Sequence, residues 1–125
     1  MPQKKILIVD DEPDVVEVLK IRFQSEGYDV ISEDDGVRGL NLARKEKPDL
    51  IILDVMLPNL DGYQICRMLK FDNTYKNIPI IMFTARAGTE DKAKAEKAGA
   101  DAYIVKPFEP KTLLTKAKEL LNGKG

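Results

Sequence analysis

Four short apolar runs in this sequence each end at a residue that can bind phosphate or a hard cation. The run KILIV is followed by Asp10 and Asp11, LIIL by Asp54, PIIMF by Thr84, and AYIV by Lys106. If these runs are parallel strands of one sheet, their carboxyl ends lie side by side. Three carboxylates, one hydroxyl and one ammonium then converge in one cleft. Such a set suits magnesium-assisted transfer of a phosphoryl group to an aspartate.

The acidic members of this set predict a divalent cation. Placing Asp10, Asp11 and Asp54 close together brings like charges into one cleft, which is unfavourable unless a cation neutralises them. The chain has no histidine, so any metal must be held by oxygen atoms, which favours magnesium, calcium or manganese over zinc or copper. The alternative interpretation of the DDE segment is an acidic N-terminus of the following helix, and the residues alone leave both open.

Asp54 is the candidate nucleophile. It follows a wholly apolar run and therefore starts from a strand with little freedom to move. A carboxylate can attack a phosphoryl group and form an aspartyl-phosphate. Lys106 offers a point charge for one phosphoryl oxygen and Thr84 a hydroxyl donor for another. Each of these residues has an ordinary structural interpretation, but together at four strand ends they favour the site.

Composition indicates one soluble globular domain, residues 1–125. With 20 Lys and Arg against 21 Asp and Glu, the formal net charge is -1, and no basic surface predicts nucleic-acid binding. No apolar stretch is long enough to span a bilayer. The single cysteine, Cys66, cannot form an internal disulfide and is predicted to be buried. We therefore expect a cytoplasmic protein.

The elements that position the site alternate between strands and helices. The strands are predicted near 5–10, 28–33, 50–54, 79–84 and 101–105. The helices are predicted from Pro13 to before Gly27, over 36–46, from about Asp61, after Thr89, and from Pro110. Within them, Ile65, Met68 and Leu69 are predicted to form the core stripe of the third helix, and Thr89 to be the N-cap of the fourth. Strict alternation with apolar strands predicts an α/β fold with a doubly wound, five-stranded parallel sheet.

At the level of whole motifs the chain resembles a response-regulator receiver domain of bacterial two-component signalling. The resemblance rests on ILIVDDEPD, PDLIILDVMLPNLDG, IPIIMFTA and AGADAYIVKPF, together with the closing amphipathic helix. It covers essentially the whole chain. It implies the flavodoxin-like strand order 2-1-3-4-5.

The resemblance also implies roles for individual residues. Asp54 would be the phosphoacceptor, and Mg2+ would be held by Asp11, Asp54 and the backbone carbonyl of Met56, with Asp10 acting mostly through water. Thr84 and Lys106 would contact the phosphoryl oxygens. The remaining implied features are a rotamer switch at Tyr103, a cis peptide bond between Lys106 and Pro107, and control of the phosphoryl lifetime by Met56 and Arg86.

The implied partners are proteins. A sensor histidine kinase or phosphotransfer protein would donate the phosphoryl group, and any phosphohistidine would lie on that protein because this chain has no histidine. The output would pass through the face of the fourth helix, fifth strand and fifth helix to a downstream protein, a fused output domain or a homodimer formed on phosphorylation. We expect signalling with slow autodephosphorylation rather than enzymatic turnover.

Three other functions stay open at this point. A magnesium-dependent phosphatase of the haloacid-dehalogenase type also uses a strand-end aspartate. That family is typified by an Asp-x-Asp motif after its first strand, whereas here the residue two places after Asp54 is Met56 and the nucleophile does not follow the first strand. A flavodoxin-like electron carrier would need a phosphate loop where this chain has acidic residues. A degenerate receiver would act only as an interaction module. Dinucleotide binding is disfavoured because no G-x-G-x-x-G follows a strand.

Overall fold

Five strands alternate with five helices in the computed structural model, which describes residues 3–85, 88–107 and 109–123. The strands are β1 (Lys5–Val9), β2 (Asp29–Glu33), β3 (Leu50–Leu53), β4 (Ile80–Thr84) and β5 (Ala102–Val105). The helices are α1 (Pro13–Ser25), α2 (Gly36–Glu46), α3 (Gly62–Lys70), α4 (Thr89–Lys97) and α5 (Pro110–Gly123). Every predicted strand is confirmed, with its ends shifted by at most one residue.

The strands form one parallel sheet in the order β2-β1-β3-β4-β5, which confirms the fold class and the flavodoxin-like topology. Parallel pairing is in register at the carboxyl end: Val9 lies beside Leu53, and Leu53 lies beside Met82. The residues that follow these positions therefore meet at one edge of the sheet.

Helices cover both faces of the sheet, and alternate strand residues divide between the two layers. Ile6 and Ile8 pack with α1 and α5, whereas Leu7 and Val9 pack with α2, α3 and α4. Because successive side chains of a strand point to opposite faces, a strand covered on both sides must be apolar throughout. All four residues of β3 are buried for this reason.

Two predictions about the helices are wrong. Met68 is 43% exposed, because Cys66 takes the inward position between Ile65 and Leu69 on α3. The N-cap of α4 is Gly88 rather than Thr89, which is the first helical residue. Cys66 itself is buried, as predicted.

Asp35 and Asp61 begin α2 and α3 as N-caps. Their carboxylates accept hydrogen bonds from the backbone N–H groups of Arg38 and Gln64, respectively. Such caps satisfy donors that the first helical turn leaves without a partner.

None of the helices that the structure describes has the length and apolar character of a membrane span.

Candidate functional site

Backbone hydrogen bonds continue beyond the strand ends and hold the site residues in place. The N–H of Asp10 donates to the carbonyl of Glu33 at 3.0 Å, and the N–H of Asp54 donates to the carbonyl of Val9 at 2.9 Å. The backbone N–H of Lys106 likewise donates to the backbone carbonyl of Thr84 at 2.7 Å. Each side chain therefore projects from a backbone position that the neighbouring strand restrains.

The ammonium of Lys106 joins three carboxylates from two loops. Its Nζ atom lies 2.9 Å from Asp10 Oδ2, 3.1 Å from Asp54 Oδ2 and 2.5 Å from Glu12 Oε1. The side chain of Lys106 is only 10% exposed, and that of Asp54 is 5% exposed. Phe83 adds a further contact, because Nζ lies 4.7 Å from the centre of its ring. The lysine thus lies where a phosphoryl group on Asp54 would need a positive charge.

Burial sets the electrostatics of Asp10. Loss of solvent raises the pKa of its carboxyl to about 6, and the charge of Asp54 acts in the same direction. Hydrogen bonds from Lys106 and from the Glu12 N–H oppose this increase without cancelling it. Two carboxylates in one buried site therefore keep an unfavourable charge balance that a divalent cation would relieve.

The pKa of Lys106 is raised above its ordinary value. Burial acts to lower it, but the hydrogen bonds to Glu12 and Asp10 and the charges of Asp10 and Asp54 outweigh that effect. The ammonium consequently keeps its charge over the whole physiological range.

A candidate metal cluster within the described residues contains Asp10, Glu12 and Asp54. One carboxylate oxygen from each of these residues lies within 4.8 Å of the others. Asp11, which the family resemblance implied as a ligand, has an exposed side chain and lines the adjacent groove with Met56. Glu12 was missed by sequence reasoning, although it is the third consecutive acidic residue of the DDE segment. The donor set is oxygen only, which fits Mg2+.

A groove of about 570 Å3 opens beside the end of β3. Its lining includes Asp11, Met56, Asp61, Tyr63 and Lys94. The exposed side chain of Met56 is apolar, while its backbone N–H donates to Asp54 Oδ1 at 3.3 Å. The groove therefore lies beside the segment that follows Asp54.

The remaining predicted site residues have different surroundings. Thr84 is fully buried at the end of β4, and Tyr103 is half-buried on β5, where it pairs with Met82. The peptide bond between Lys106 and Pro107 is cis. Arg86 lies outside the described residues.

The model of a known protein family matches most of the chain. The family model of the response regulator receiver domain matches residues 6–118. Among curated proteins, the alkaline phosphatase synthesis transcriptional regulatory protein PhoP of Bacillus subtilis is 45% identical over 118 residues, covering 94% of this chain and 48% of that protein. The DNA-binding response regulator MtrA of Mycolicibacterium smegmatis is 40% identical, covering 95% and 51%. The chain therefore spans about half the length of these relatives.

Solved structures agree with the topology. A CheY-like receiver domain from Methanospirillum hungatei superposes with a TM-score of 0.92 at 33% identity, covering 98% of this chain and 97% of that one. A response regulator structure from Chloroflexus aurantiacus gives a TM-score of 0.90 at 37% identity, covering 96% and 98%. The similarity extends through all five strands and helices.

Proposed function

The chain belongs to the response regulator receiver domain family of two-component signalling, and from this premise we propose that Asp54 accepts a phosphoryl group from a histidine kinase. The observation that carries the proposal is the contact between Lys106 Nζ and Asp54 Oδ2, 3.1 Å apart in a buried site. A buried carboxylate nucleophile beside a fixed positive charge suits phosphoryl transfer, since the reaction depends mainly on positioning and charge stabilisation.

In the proposed reaction one carboxylate oxygen of Asp54 forms a bond to phosphorus. The N–P bond of the donor phosphohistidine breaks, and its electron pair stays on the imidazole nitrogen, which then takes a proton from solvent. Lys106 stabilises the charge on one phosphoryl oxygen, and the Thr84 hydroxyl donates to another. Asp54 is only 4% exposed to solvent, so these contacts act in a site from which most water is excluded.

We propose that Mg2+ binds among the carboxylates of Asp10, Asp11 and Asp54 and the Met56 carbonyl. When bound, the ion offsets the acidic charge and lowers the charge repulsion that an incoming phosphoryl group meets. Support comes from the oxygen-only cluster and from the raised pKa of Asp10, whose burial beside Asp54 calls for a positive charge. Glu12 is an additional candidate ligand, because one of its carboxylate oxygens lies within 4.8 Å of those of Asp10 and Asp54.

A docking groove for the phosphodonor lies next to Lys106. It has a volume of about 480 Å3 and is lined mainly by apolar side chains of α1, the segment after β5 and the start of α5, among them Val15, Val18, Pro107 and Pro110. Val18 is 48% exposed although apolar. An apolar surface beside a charged site is typical of a protein interface, and this one supports a protein as the donor.

We further propose that phosphorylation changes the face formed by α4, β5 and α5. Thr84 ends β4, and Tyr103 lies on the adjacent β5, so a shift of Thr84 toward the phosphoryl group makes room for Tyr103. The partner of this face would be a downstream protein, a fused output domain or a second copy of the chain. One of the relatives named above is a DNA-binding response regulator about twice as long as this chain, which supports a fused output domain.

The first test is labelling by acetyl phosphate with Mg2+. The wild-type chain should take up one radiolabelled phosphoryl group, and Asp54→Ala should take up none. Asp34→Ala removes an exposed carboxylate that pairs with Arg38 and should label normally. Retained labelling of Asp54→Ala would contradict the assignment.

Met56 supports a long-lived phosphorylated form, because an apolar side chain cannot orient an attacking water by a hydrogen bond. Loss of the label within seconds after removal of the donor would contradict this.

The alternative function, an aspartyl-phosphate phosphatase, predicts continuous release of phosphate from a generic phosphate ester. A receiver domain predicts no such turnover.

A further inference from the structure

Helix α4 is weakly held to the rest of the domain. Among its nine residues, all of them described, Ala95 alone is buried. Its N-cap is Gly88, and no side chain caps its first turn. A helix with one small buried anchor and no cap has little to fix its position, so any additional contact to its first turn carries unusual weight.

Tyr63 of α3 supplies such a contact. Its hydroxyl donates to the backbone carbonyl of Asp91 and to the Oδ1 atom of the same residue, each at 3.1 Å. Asp91 is the third residue of α4. The tyrosine is half-buried and packs against the same core cluster as Ala95. A hydroxyl in these surroundings contributes more than it would in water, because solvent competes less for its bonds.

The backbone beside Tyr63 is tightly coupled to the phosphoacceptor segment. Gly62 donates its N–H to the carbonyl of Val55 at 2.9 Å. A Cβ atom on Gly62 would lie 2.2 Å from the backbone oxygen of Asp54. The segment that carries Asp54 and the start of α3 are thus in direct backbone contact, and a displacement of one must displace the other.

Tyr103 on β5 interacts with the same tyrosine. Burial and the hydrogen bond to Asp91 raise the pKa of Tyr63 well above its ordinary value, and the interaction with Tyr103 acts in the same direction. Tyr63 thus interacts with Asp91 on one element and with Tyr103 on another. It therefore stands between the proposed switch residue of β5 and the first turn of α4.

We propose that Tyr63 is a positioning residue that ties the first turn of α4 to the Asp54 segment, so that a change at Asp54 reaches the output face through α3 as well as through β4. This proposal rests on the proposed function, because it assumes that Asp54 is the site of the change. Its structural part, the hydroxyl tether to α4, stands independently of phosphorylation.

The test is Tyr63→Phe, which removes one oxygen and keeps the ring. Hydrogen–deuterium exchange is read by NMR at the α4 amides, beginning with Lys92, which donates to Gly88. The matched control is Tyr75→Phe, because Tyr75 is a half-buried tyrosine packed against the same cluster. We expect exchange in α4 to become about fivefold faster in Tyr63→Phe, the effect of losing one net hydrogen bond. In Tyr75→Phe it should change by less than about twofold.

A second measurement adds beryllofluoride and Mg2+ to both variants and to the wild type. Bound fluoride is detected by 19F NMR, and the change in α4 exchange is measured again. In wild type the ligand should alter α4 exchange, and in Tyr63→Phe that alteration should fall to half or less. Unchanged α4 exchange in Tyr63→Phe would overturn the tether, as would an equal acceleration in α1, since the hydroxyl would then support the whole fold. An undiminished response to the ligand would overturn the coupling.

The two proposals fail in different ways. If the wild-type chain binds no beryllofluoride, the proposed function of Asp54 is wrong, and the ligand-free comparison of Tyr63→Phe with wild type still decides whether the tether exists. If fluoride binds normally but α4 exchange is the same in both proteins, the function stands and the tether is wrong.

Discussion

The ammonium nitrogen of Lys106 lies 3.1 Å from the Oδ2 atom of Asp54, although 52 residues separate the two in the sequence. The same nitrogen also contacts Asp10. One lysine therefore balances two carboxylates that are buried almost completely, and its contribution to stability can be measured separately from its proposed part in phosphoryl transfer.

Replacing Lys106 with methionine should destabilise the domain by about 3 kcal/mol in metal-free buffer, because it leaves two buried carboxylates without their partner. Mg2+ should raise the free energy of unfolding of the variant by more than it raises that of wild type. Urea denaturation with and without Mg2+ measures both effects. Lys118→Met is the control, since the Lys118–Glu26 pair is exposed and should contribute little to stability. Equal losses in the two variants would contradict the importance of the buried site.

Asp10 should produce a pH dependence of stability with a defined sign. Its pKa is about 6 in the folded protein, against an ordinary value of 3.8. Between these values the folded chain binds more protons than the unfolded chain, so this carboxyl lowers stability as pH rises through the window. Asp10→Asn should therefore gain stability over wild type as pH rises from 4 to 6, reaching about 3 kcal/mol.

The matched variant for this prediction is Asp35→Asn, which should behave in the opposite sense. The Arg38 N–H and the Asn59 side chain lower the pKa of Asp35, so its charge stabilises the fold above its ordinary pKa and that contribution disappears on acidification. Metal-free urea titrations at several pH values measure the difference between each variant and wild type. A difference for Asp10→Asn that does not grow with pH would contradict the electrostatic argument.

Gly62→Ala should damage both the fold and the site, because the new methyl group would meet the backbone of Asp54 rather than a movable side chain. We expect a loss of about 2 kcal/mol or more and slower labelling by acetyl phosphate. In Gly39→Ala the methyl group meets Val9 Cγ1 at 2.7 Å, a side-chain atom rather than backbone. That variant should lose less stability than Gly62→Ala, since alanine also favours helix. A larger loss in Gly39→Ala would count against the argument.

Cys66 should be inert in the native protein. Burial raises the pKa of its thiol to about 12, and its Sγ atom donates to the carbonyl of Ala98 at 3.4 Å. Reaction with a disulfide reagent at mildly alkaline pH should be at least about a thousandfold slower than in the urea-unfolded chain. The rate is followed by release of the coloured thiol. Fast native reaction would show that α3 and the end of α4 separate readily.

Much of this fold is predictable from residue patterns, because strands and helices bury side chains with fixed periods. The apolar run LIIL and the stripes of α1 and α5 predict their elements, and the residues after the strands predict the site edge. Met68 shows the limit: Ile65, Cys66 and Met68 all fit an apolar stripe, and only the packing of α3 against the sheet shows that Cys66 faces inward and Met68 outward.

What the sequence determined by itself is the order of the elements, the doubly covered sheet and an oxygen-only site around Asp54, since these follow from local period and residue chemistry. Tertiary structure decided which side chains meet there. Glu12 reaches Lys106 from 94 residues away, and Tyr63 reaches Asp91 across 28. Such contacts depend on how loops and helices from distant parts of the sequence pack against one another. The local periodicity of the sequence does not specify that packing.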